Sequence, residues 1–288
     1  MKMSQTFSPI LSQLLLPMID KRRHDFQIKE ISISKYKSDK YEFCNDFVAA
    51  EDALQIKINH SPLTITMRSP GDDVALALGF LLTEGMIKSY QVVLDAVQED
   101  EHTVNIIIED EAMKTNISKA SRNFLSNSSC GVCGKVEVDD IKTKSSFMPP
   151  SNDVTVNAET LLSLQEKLLN VQQSFEMTGG IHACALFSLA GEYRYHSEDV
   201  GRHNALDKLI GHALMADRLP LADHLLLLSG RASFELVQKA SMAGIPLIVA
   251  VGAPSSLAVE LSVSNGMTLV GFLKKTGFNV YAGGQRIS

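Results

Sequence analysis

Two short apolar runs, residues 225–228 and 247–251, constrain the fold of this 288-residue chain more than any other feature. They contain only aliphatic side chains, and each is followed by a turn of small residues. Runs this short, without polar alternation, are typical of strands that are buried on both faces. We therefore predict that the C-terminal part of the chain is an α/β domain with a central buried sheet.

The N-terminal part has a different pattern, in which apolar and polar residues alternate. This alternation predicts a strand near Ile28 and Ile33, a hairpin over residues 53–68, and a strand pair at 92–97 and 103–108. The segment 69–73 is predicted to cap a helix over residues 74–83, which ends with Gly85 in a left-handed conformation. These elements predict a smaller α+β lobe.

The chain divides into four predicted parts. Residues 1–25 are expected to form a flexible arm, residues 26–125 the α+β lobe, residues 126–153 a mobile loop and linker, and residues 154–288 the α/β domain. That domain is expected to open with a helix capped by Asn157, whose apolar side chains reach as far as Phe175. Strands are predicted at 181–188, 192–196, 268–272 and 278–281.

Composition excludes several classes of protein. With 27 basic and 33 acidic residues, the net charge is −6, so a broad cationic surface for nucleic acid is not expected. No window approaches the roughly 18 uninterrupted apolar residues of a membrane span, and no secretory signal is predicted at the N-terminus. Four cysteines do not make a disulfide scaffold, and we expect a cytoplasmic protein.

Three turns after predicted strands contain glycine: residues 199–203, 229–231 and 251–256. At the carboxyl end of a strand, the following helix presents unpaired backbone N–H groups, which suit phosphates and other anions. Arg202, His203 and Arg231 could add charged donors. The alternative is that the glycines only shape tight turns and the arginines are solvated. Neither a Walker sequence nor GxGxxG occurs.

Cys130-Gly131-Val132-Cys133-Gly134-Lys135 is the sharpest local motif. Glycines expose the two sulfurs, and Lys135 favours a thiolate. The pair could form a disulfide, contribute half of a zinc site, or accept and pass on sulfur. A doubled CxxC is missing, because Cys44 and Cys184 are isolated, so no metal site is predicted.

Among the histidines, His182 and His203 are candidate site residues, because they lie beside glycine-containing turns. His212 and His224 are expected to be ordinary packing or surface residues. No serine nucleophile elbow is present.

Taken together, the motifs resemble the FdhD/NarQ family, the accessory sulfurtransferases of molybdenum-dependent formate dehydrogenase. The resemblance covers about residues 28–283. It rests on the CxxC segment 130–134, the segments 68–73 and 79–85, Thr178-Gly179-Gly180-Ile181-His182, and the segments 199–208 and 229–233.

The resemblance implies a cytidine-deaminase-like three-layer α/β/α domain preceded by the smaller lobe, usually as a homodimer. It implies that a cysteine desulfurase loads sulfur as a persulfide on Cys130, with Cys133 as its partner. The sulfur then reaches a bound bis-molybdopterin guanine dinucleotide molybdenum cofactor before insertion into formate dehydrogenase. His182-Ala183-Cys184 is not the HxE of the deaminases, so zinc-dependent deamination is disfavoured.

The predicted site therefore has a sulfur-carrying part, Cys130 and Cys133, and a cofactor-binding part, for which GDP is a mimic. The family's cofactor segment corresponds to Phe272, Leu273, Lys274, Lys275, Thr276 and Gly277, and the turns add His182, Asp199, Gly201, Arg202, His203, Ser229, Gly230 and Arg231. Phe272 could stack on guanine or belong to the core, and the lysines could neutralise phosphate or face water. Two other functions stay open: a cofactor chaperone without covalent sulfur transfer, and a dithiol oxidoreductase.

Overall fold

The computed structural model describes residues 27–109, Ser145, Phe147 and residues 154–288. In these ranges the strands are β1 (Ile28–Lys37), β2 (Lys40–Ala49), β3 (Asp52–Ile58), β4 (Ser61–Arg68), β5 (Val93–Asp100), β6 (Thr103–Ile108), β7 (His182–Ser188), β8 (Tyr193–Asp199), β9 (His224–Leu228), β10 (Leu247–Ala250), β11 (Thr268–Lys274) and β12 (Gly277–Ala282). The α-helices are α1 (Asp73–Thr83), α2 (Ala158–Leu169), α3 (Gln173–Thr178), α4 (Arg202–Met215), α5 (Phe234–Met242) and α6 (Ser256–Ser264). The predicted α/β class is confirmed. The predicted arm and nearly all of the predicted loop, including Cys130 and Cys133, lie outside the described residues.

The larger sheet has six strands in the order β12-β11-β10-β9-β7-β8. β9, β10 and β11 pair in parallel, whereas β7 is antiparallel to both of its neighbours. Strands β8 to β11 therefore run in one direction, and their carboxyl ends share one edge of the sheet. We call this the carboxyl edge. β7 starts at the same edge with His182, opposite Asp199 at the end of β8.

Helices cover both faces of this sheet. On one face, Leu161, Leu164 and Leu168 of α2 are buried with the side chains of alternate strand residues. The other face is buried under α4 and α5. The residues of β9 from Leu225 to Leu228 are at most 2% exposed, as the continuous apolar run predicts for a strand covered on both sides. The larger sheet and the helices on its two faces thus form three layers. The likeness to cytidine deaminases stays a prediction.

The N-terminal part contains a four-stranded sheet in the order β4-β3-β6-β5 and a two-stranded ribbon of β1 and β2. One face of the four-stranded sheet packs on α1, and its buried residues belong to the same apolar core as those of α4. The predicted hairpin over residues 53–68 is confirmed as β3 and β4. The ribbon is joined to α3, where the Ser174 hydroxyl donates to Gln27 Oε1 at 3.1 Å.

Helices α1 and α4 pack closely because glycines face backbone at their contact. A Cβ added at Gly79 would overlap the carbonyl oxygen of Asp207, and one added at Gly211 would overlap that of Ala75. A buried ion pair lies beside this contact, where Lys239 Nζ of α5 is 2.8 Å from Asp207 Oδ2. The close packing connects the N-terminal lobe to the helix that begins at the carboxyl edge.

The predicted long helix after Asn157 is wrong in its length. Asn157 caps it as predicted, since its side chain accepts from the amide of Glu159, but α2 ends at Leu169 and a separate helix, α3, follows. Asn170 has a low helix propensity and lies in a turn, and the buried Gln172 then occupies the cap position of α3. Periodicity cannot reveal this break, because Phe175 keeps the helical spacing across it.

The predicted side-chain cap of α1 is also wrong. Asp72 occupies the cap position in the left-handed region, with φ of 58°, and its side chain makes no capping hydrogen bond. Instead Asp72 Oδ1 lies 3.3 Å from His212 Nε2 of α4. Asp73 pairs with the buried Arg68, whose Nη2 is 2.8 Å from Asp73 Oδ2. The side chain of Asp72 therefore contacts α4 instead of capping its own helix.

Candidate functional site

The turns that follow β9 and β10 lie side by side at the carboxyl edge, next to Phe272 of β11. The amide of Gly252 donates to the carbonyl of Gly230 at 2.9 Å, and the amide of Phe272 donates to the carbonyl of Gly252 at 3.1 Å. A Cβ at Gly252 would lie 3.0 Å from Cα of Arg231, so this approach requires glycine. Two of the three predicted turns, residues 229–231 and 251–256, are therefore in direct contact.

Three helices begin at this edge, and their first turns differ. The side chains of Ser233 and Ser255 cap α5 and α6 by accepting from backbone amides. Gly201 occupies the cap position of α4, which has no side-chain cap. The amides of the first turn of α4 therefore stay available to an anion, which the positive end of a helix also favours.

Three of the predicted residues, Arg202, His203 and Arg231, lie near His182 at the edge. The pKa of His182 is lowered first by burial, and then by the nearby charges of Arg202, His203 and Arg231. Gly230 lies against the His182 ring, since a Cβ there would be 3.4 Å from Nδ1. Burial is the larger cause and Asp199 opposes the shift, but the charges of the two arginines at this edge also favour a bound anion.

The two arginines of this cluster are placed differently. Arg231 is exposed. Arg202 is half-buried, and its buried Nε has no hydrogen-bond partner among the described residues. A buried guanidinium donor without a partner is costly, so a ligand oxygen that accepts from it would be stabilised.

Asp199 instead faces the interior. Its Oδ2 is 2.7 Å from Lys208 Nζ and accepts from the Ser69 amide at 3.1 Å. Its Oδ1 accepts from the Gly201 amide at 2.8 Å and from Asn204 Nδ2 at 3.2 Å. These contacts are structural: they connect the N-terminal lobe to the start of α4. Its predicted part in cofactor binding stays a prediction.

His203 forms a pair that sequence reasoning missed. Its Nε2 is 2.8 Å from Glu235 Oε2 and 3.3 Å from the hydroxyl of Ser233. The hydrogen bond from His203 lowers the pKa of Glu235, and this effect exceeds that of burial, which raises it. Glu235 lies only four positions after Arg231, but nothing in the sequence indicates its partner.

A cavity of about 440 Å³ opens beside the edge, between the sheet and helices α2 and α3. This volume falls in the range of about 300–1,000 Å³ that is typical of small-molecule sites. His182, Ser229 and Gly180 line it, and the part of His182 and Ser229 in cofactor binding stays a prediction. Sequence reasoning missed the other lining residues because it assigned them to a helix, a strand or a turn: Gln165, Leu168, Leu169, Gln172, Phe175, Gly179, Ile181 and Val251. In the sequence, the available signal for this cavity was the Gly179-Gly180 pair just before His182. In the structure, a Cβ at Gly179 would meet no atom within 4 Å.

The predicted cofactor segment 272–277 lies at the β11–β12 end of the carboxyl edge. Phe272 is 42% exposed with φ of 53°, so it can contact a ligand. Leu273 is completely buried in the core under α2. Lys274 is exposed, and Lys275 Nζ is 3.2 Å from Glu166 Oε2 on the surface. Thr276 lies in the turn before β12, and Gly277 is the first residue of that strand. Their part in binding stays a prediction.

Of the described cysteines, Cys184 is buried, and burial raises the pKa of its thiol, which therefore stays unreactive at neutral pH. Cys44 is exposed on the ribbon. Within the described ranges, no three His, Cys, Asp or Glu side chains converge in a way that could hold a metal ion. None of the helices in that part of the chain combines the length and apolar character that crossing a membrane requires.

Comparison with known proteins shows which family this chain resembles in sequence. A profile of the FdhD/NarQ family matches residues 49–288. The sulfur carrier protein FdhD of Streptomyces avermitilis is 46% identical over 84% of this chain and 89% of its own length. That of Sulfolobus acidocaldarius is 42% identical over 91% of this chain and 99% of its own length.

A solved structure agrees in fold. The crystal structure of a candidate formate dehydrogenase accessory protein from Desulfotalea psychrophila superposes with a TM-score of 0.71 at 22% identity. The match covers 91% of this chain and 100% of that chain. With the sequence matches over most of its length, the chain belongs to the FdhD/NarQ family.

Proposed function

We propose that this chain is a sulfur carrier that serves a formate dehydrogenase. Cys130 accepts persulfide sulfur from a cysteine desulfurase and delivers it to a molybdenum cofactor of the bis-molybdopterin guanine dinucleotide type. The chain binds this cargo at the carboxyl edge before the cargo enters the dehydrogenase. The proposal includes a homodimer and the reducing cytoplasm that the four cysteines favour.

The observation that carries the proposal is the cationic cluster at the carboxyl edge of a chain of this family. A cofactor with two guanine dinucleotide arms carries several phosphates. The uncapped start of α4, the unpartnered Nε of Arg202 and the exposed Arg231 are donors suited to them. The neighbouring cavity has an apolar wall with polar side chains at His182 and Ser229, which suits a flat heterocycle.

Sulfur loading is tested by incubating the full chain with a cysteine desulfurase and cysteine. Trypsin, which cleaves after Arg122 and Lys135, releases one peptide that contains both loop cysteines. We expect this peptide to gain about 32 Da, the mass of one sulfur, and fragmentation to place it on Cys130. The exposed Cys44 is the matched control thiol and is expected to gain none.

The other outcomes separate the alternatives. An internal Cys130–Cys133 disulfide without added sulfur supports a dithiol oxidoreductase. Absence of any sulfur adduct in a chain that still binds GDP supports a chaperone. We expect Cys130→Ala to abolish maturation of formate dehydrogenase, whereas Cys133→Ala impairs turnover but still carries sulfur on Cys130. Sulfur found only on Cys133 reverses the two roles.

Cargo binding is tested by calorimetry with GDP. We expect Arg231→Ala to weaken GDP binding about tenfold, because it removes one charge-assisted contact to phosphate. Arg218→Ala is the matched control, since Arg218 is exposed and follows the opposite end of α4. Equal affinities of wild type and Arg231→Ala would remove Arg231 from the site.

A further inference from the structure

The pair of His203 and Glu235 joins the starts of two helices. His203 belongs to the first turn of α4, and Glu235 to the first turn of α5. Ser233 completes the contact: its hydroxyl caps α5 by accepting from Leu236 N and lies 3.3 Å from His203 Nε2. The side chains of the pair are only 18% and 16% exposed, so they are held in place.

This contact decides which ring nitrogen of His203 is left for a ligand. An imidazole nitrogen that donates to a carboxylate fixes the tautomer and the ring orientation. Here Nε2 is the nitrogen engaged by Glu235, and Nδ1 has no hydrogen-bond partner among the described residues. A ligand oxygen can therefore accept from Nδ1 when the ring is protonated.

A carboxylate at this place needs a physical reason. Glu235 lies beside a cluster that attracts anions, and its own charge would repel them. Its Oε1 has no partner among the described residues, although the charges of His203, Arg202 and Lys239 all act on it. Lys239 is already paired with Asp207 at 2.8 Å. The contact with His203 is thus the specific one that Glu235 makes.

We propose that Glu235 is a positioning residue for phosphate binding: it holds His203 through Nε2, so that Nδ1 points to the phosphates of a nucleoside diphosphate group. This inference rests on the proposed function of the carboxyl edge. Glu235 itself does not contact the ligand. It offsets the charge of the protonated imidazole and restricts its rotation.

Nitrogen NMR of the full chain with ¹⁵N-labelled histidine tests the pairing directly, and His203→Asn assigns the signals. In the wild type we expect Nε2 of His203 to be the protonated nitrogen at a pH where the ring is neutral. Glu235→Ala is expected to give a mixture of tautomers, and Glu235→Gln, whose amide oxygen can still accept, to restore the wild-type signals. Unchanged His203 signals in Glu235→Ala would overturn the positioning role.

Calorimetry with GDP tests the consequence for binding. We expect Glu235→Ala to weaken binding about tenfold and Glu235→Gln to recover most of the loss. The double variant His203→Asn/Glu235→Ala should bind no more weakly than His203→Asn, because Glu235 acts through His203. Additive losses contradict the inference. A wild-type chain that binds no GDP contradicts the proposed function instead, and the NMR signals then still decide whether Glu235 positions His203.

Discussion

Helix α4 carries two groups of charges that differ in how they are paired. In its body, Lys208 is 2.7 Å from Asp199, both completely buried, and Asp207 is 2.8 Å from Lys239. At its start, Arg202 has an unpartnered Nε within the described residues, and the charges of Arg202 and Arg231 both act on His182.

The difference separates charges that serve the fold from charges that are available to a ligand. A buried ion pair is tolerated only when its partners compensate the loss of water, and both pairs in the body of α4 meet that condition. Arg231 at the carboxyl edge is exposed to water, so its charge does not need a protein partner in the folded chain. Removing Lys208 should therefore lower the free energy of unfolding, whereas removing Arg231 should leave it nearly unchanged.

The largest expected effect comes from Lys208→Met. It leaves Asp199 as a buried charge without its cation, which typically lowers the free energy of unfolding by about 3–5 kcal/mol. Urea unfolding measures the loss. Arg231→Ala is the matched control at the carboxyl edge, and we expect it to change the free energy of unfolding by no more than about 0.5 kcal/mol. Similar losses in both variants would erase the distinction between the two groups.

A smaller loss is expected from Gly79→Ala. The added methyl group would overlap the carbonyl oxygen of Asp207, so α1 and α4 must move apart. Overpacking of this kind costs about 1–3 kcal/mol in the free energy of unfolding. Gly277→Ala is the control, because a Cβ there meets no atom within 4 Å. If both alanine variants unfold at the same urea concentration, α1 and α4 do not pack through this glycine.

The smallest effect is a dependence of stability on pH. The hydrogen bond from His203 lowers the pKa of Glu235 below its ordinary value of 4.5 in the folded chain. The unfolded chain therefore binds the proton more tightly, and the contribution of Glu235 is fully present above pH 4.5 and is lost as the pH falls through the lowered pKa.

Urea unfolding of wild type and Glu235→Gln from pH 7 downward measures this contribution. We expect the advantage of the wild type to be constant near neutral pH and to shrink in acid. An advantage that grows as the pH falls would contradict the lowered pKa.

The sequence by itself determined the elements that a local pattern of residues specifies, namely the buried strands and the glycine turns. Residues 225–228 and 247–251 were predicted as buried strands, and the structure has His224–Leu228 and Leu247–Ala250. The three glycine turns were placed correctly because a turn needs only a few neighbouring residues. The convergence of the turns that carry Arg202 and Arg231 followed from a general rule, since the carboxyl ends of parallel strands meet at one edge. His182 reaches the same edge because β7 runs antiparallel to β8 and β9.

Only the tertiary structure decided how the side chains at that edge are used. Asp199 was predicted as a ligand-binding residue, but its observed contacts are with Lys208, Ser69, Gly201 and Asn204. The partner of His203 is Glu235, 32 positions away by their numbering, and the break between α2 and α3 places Phe175 beside the cavity. Local propensity and periodicity report the face on which a residue lies. Propensity and periodicity carry no information about which distant residue a side chain contacts. Such contacts depend on how β8, β9 and the helices after them pack together.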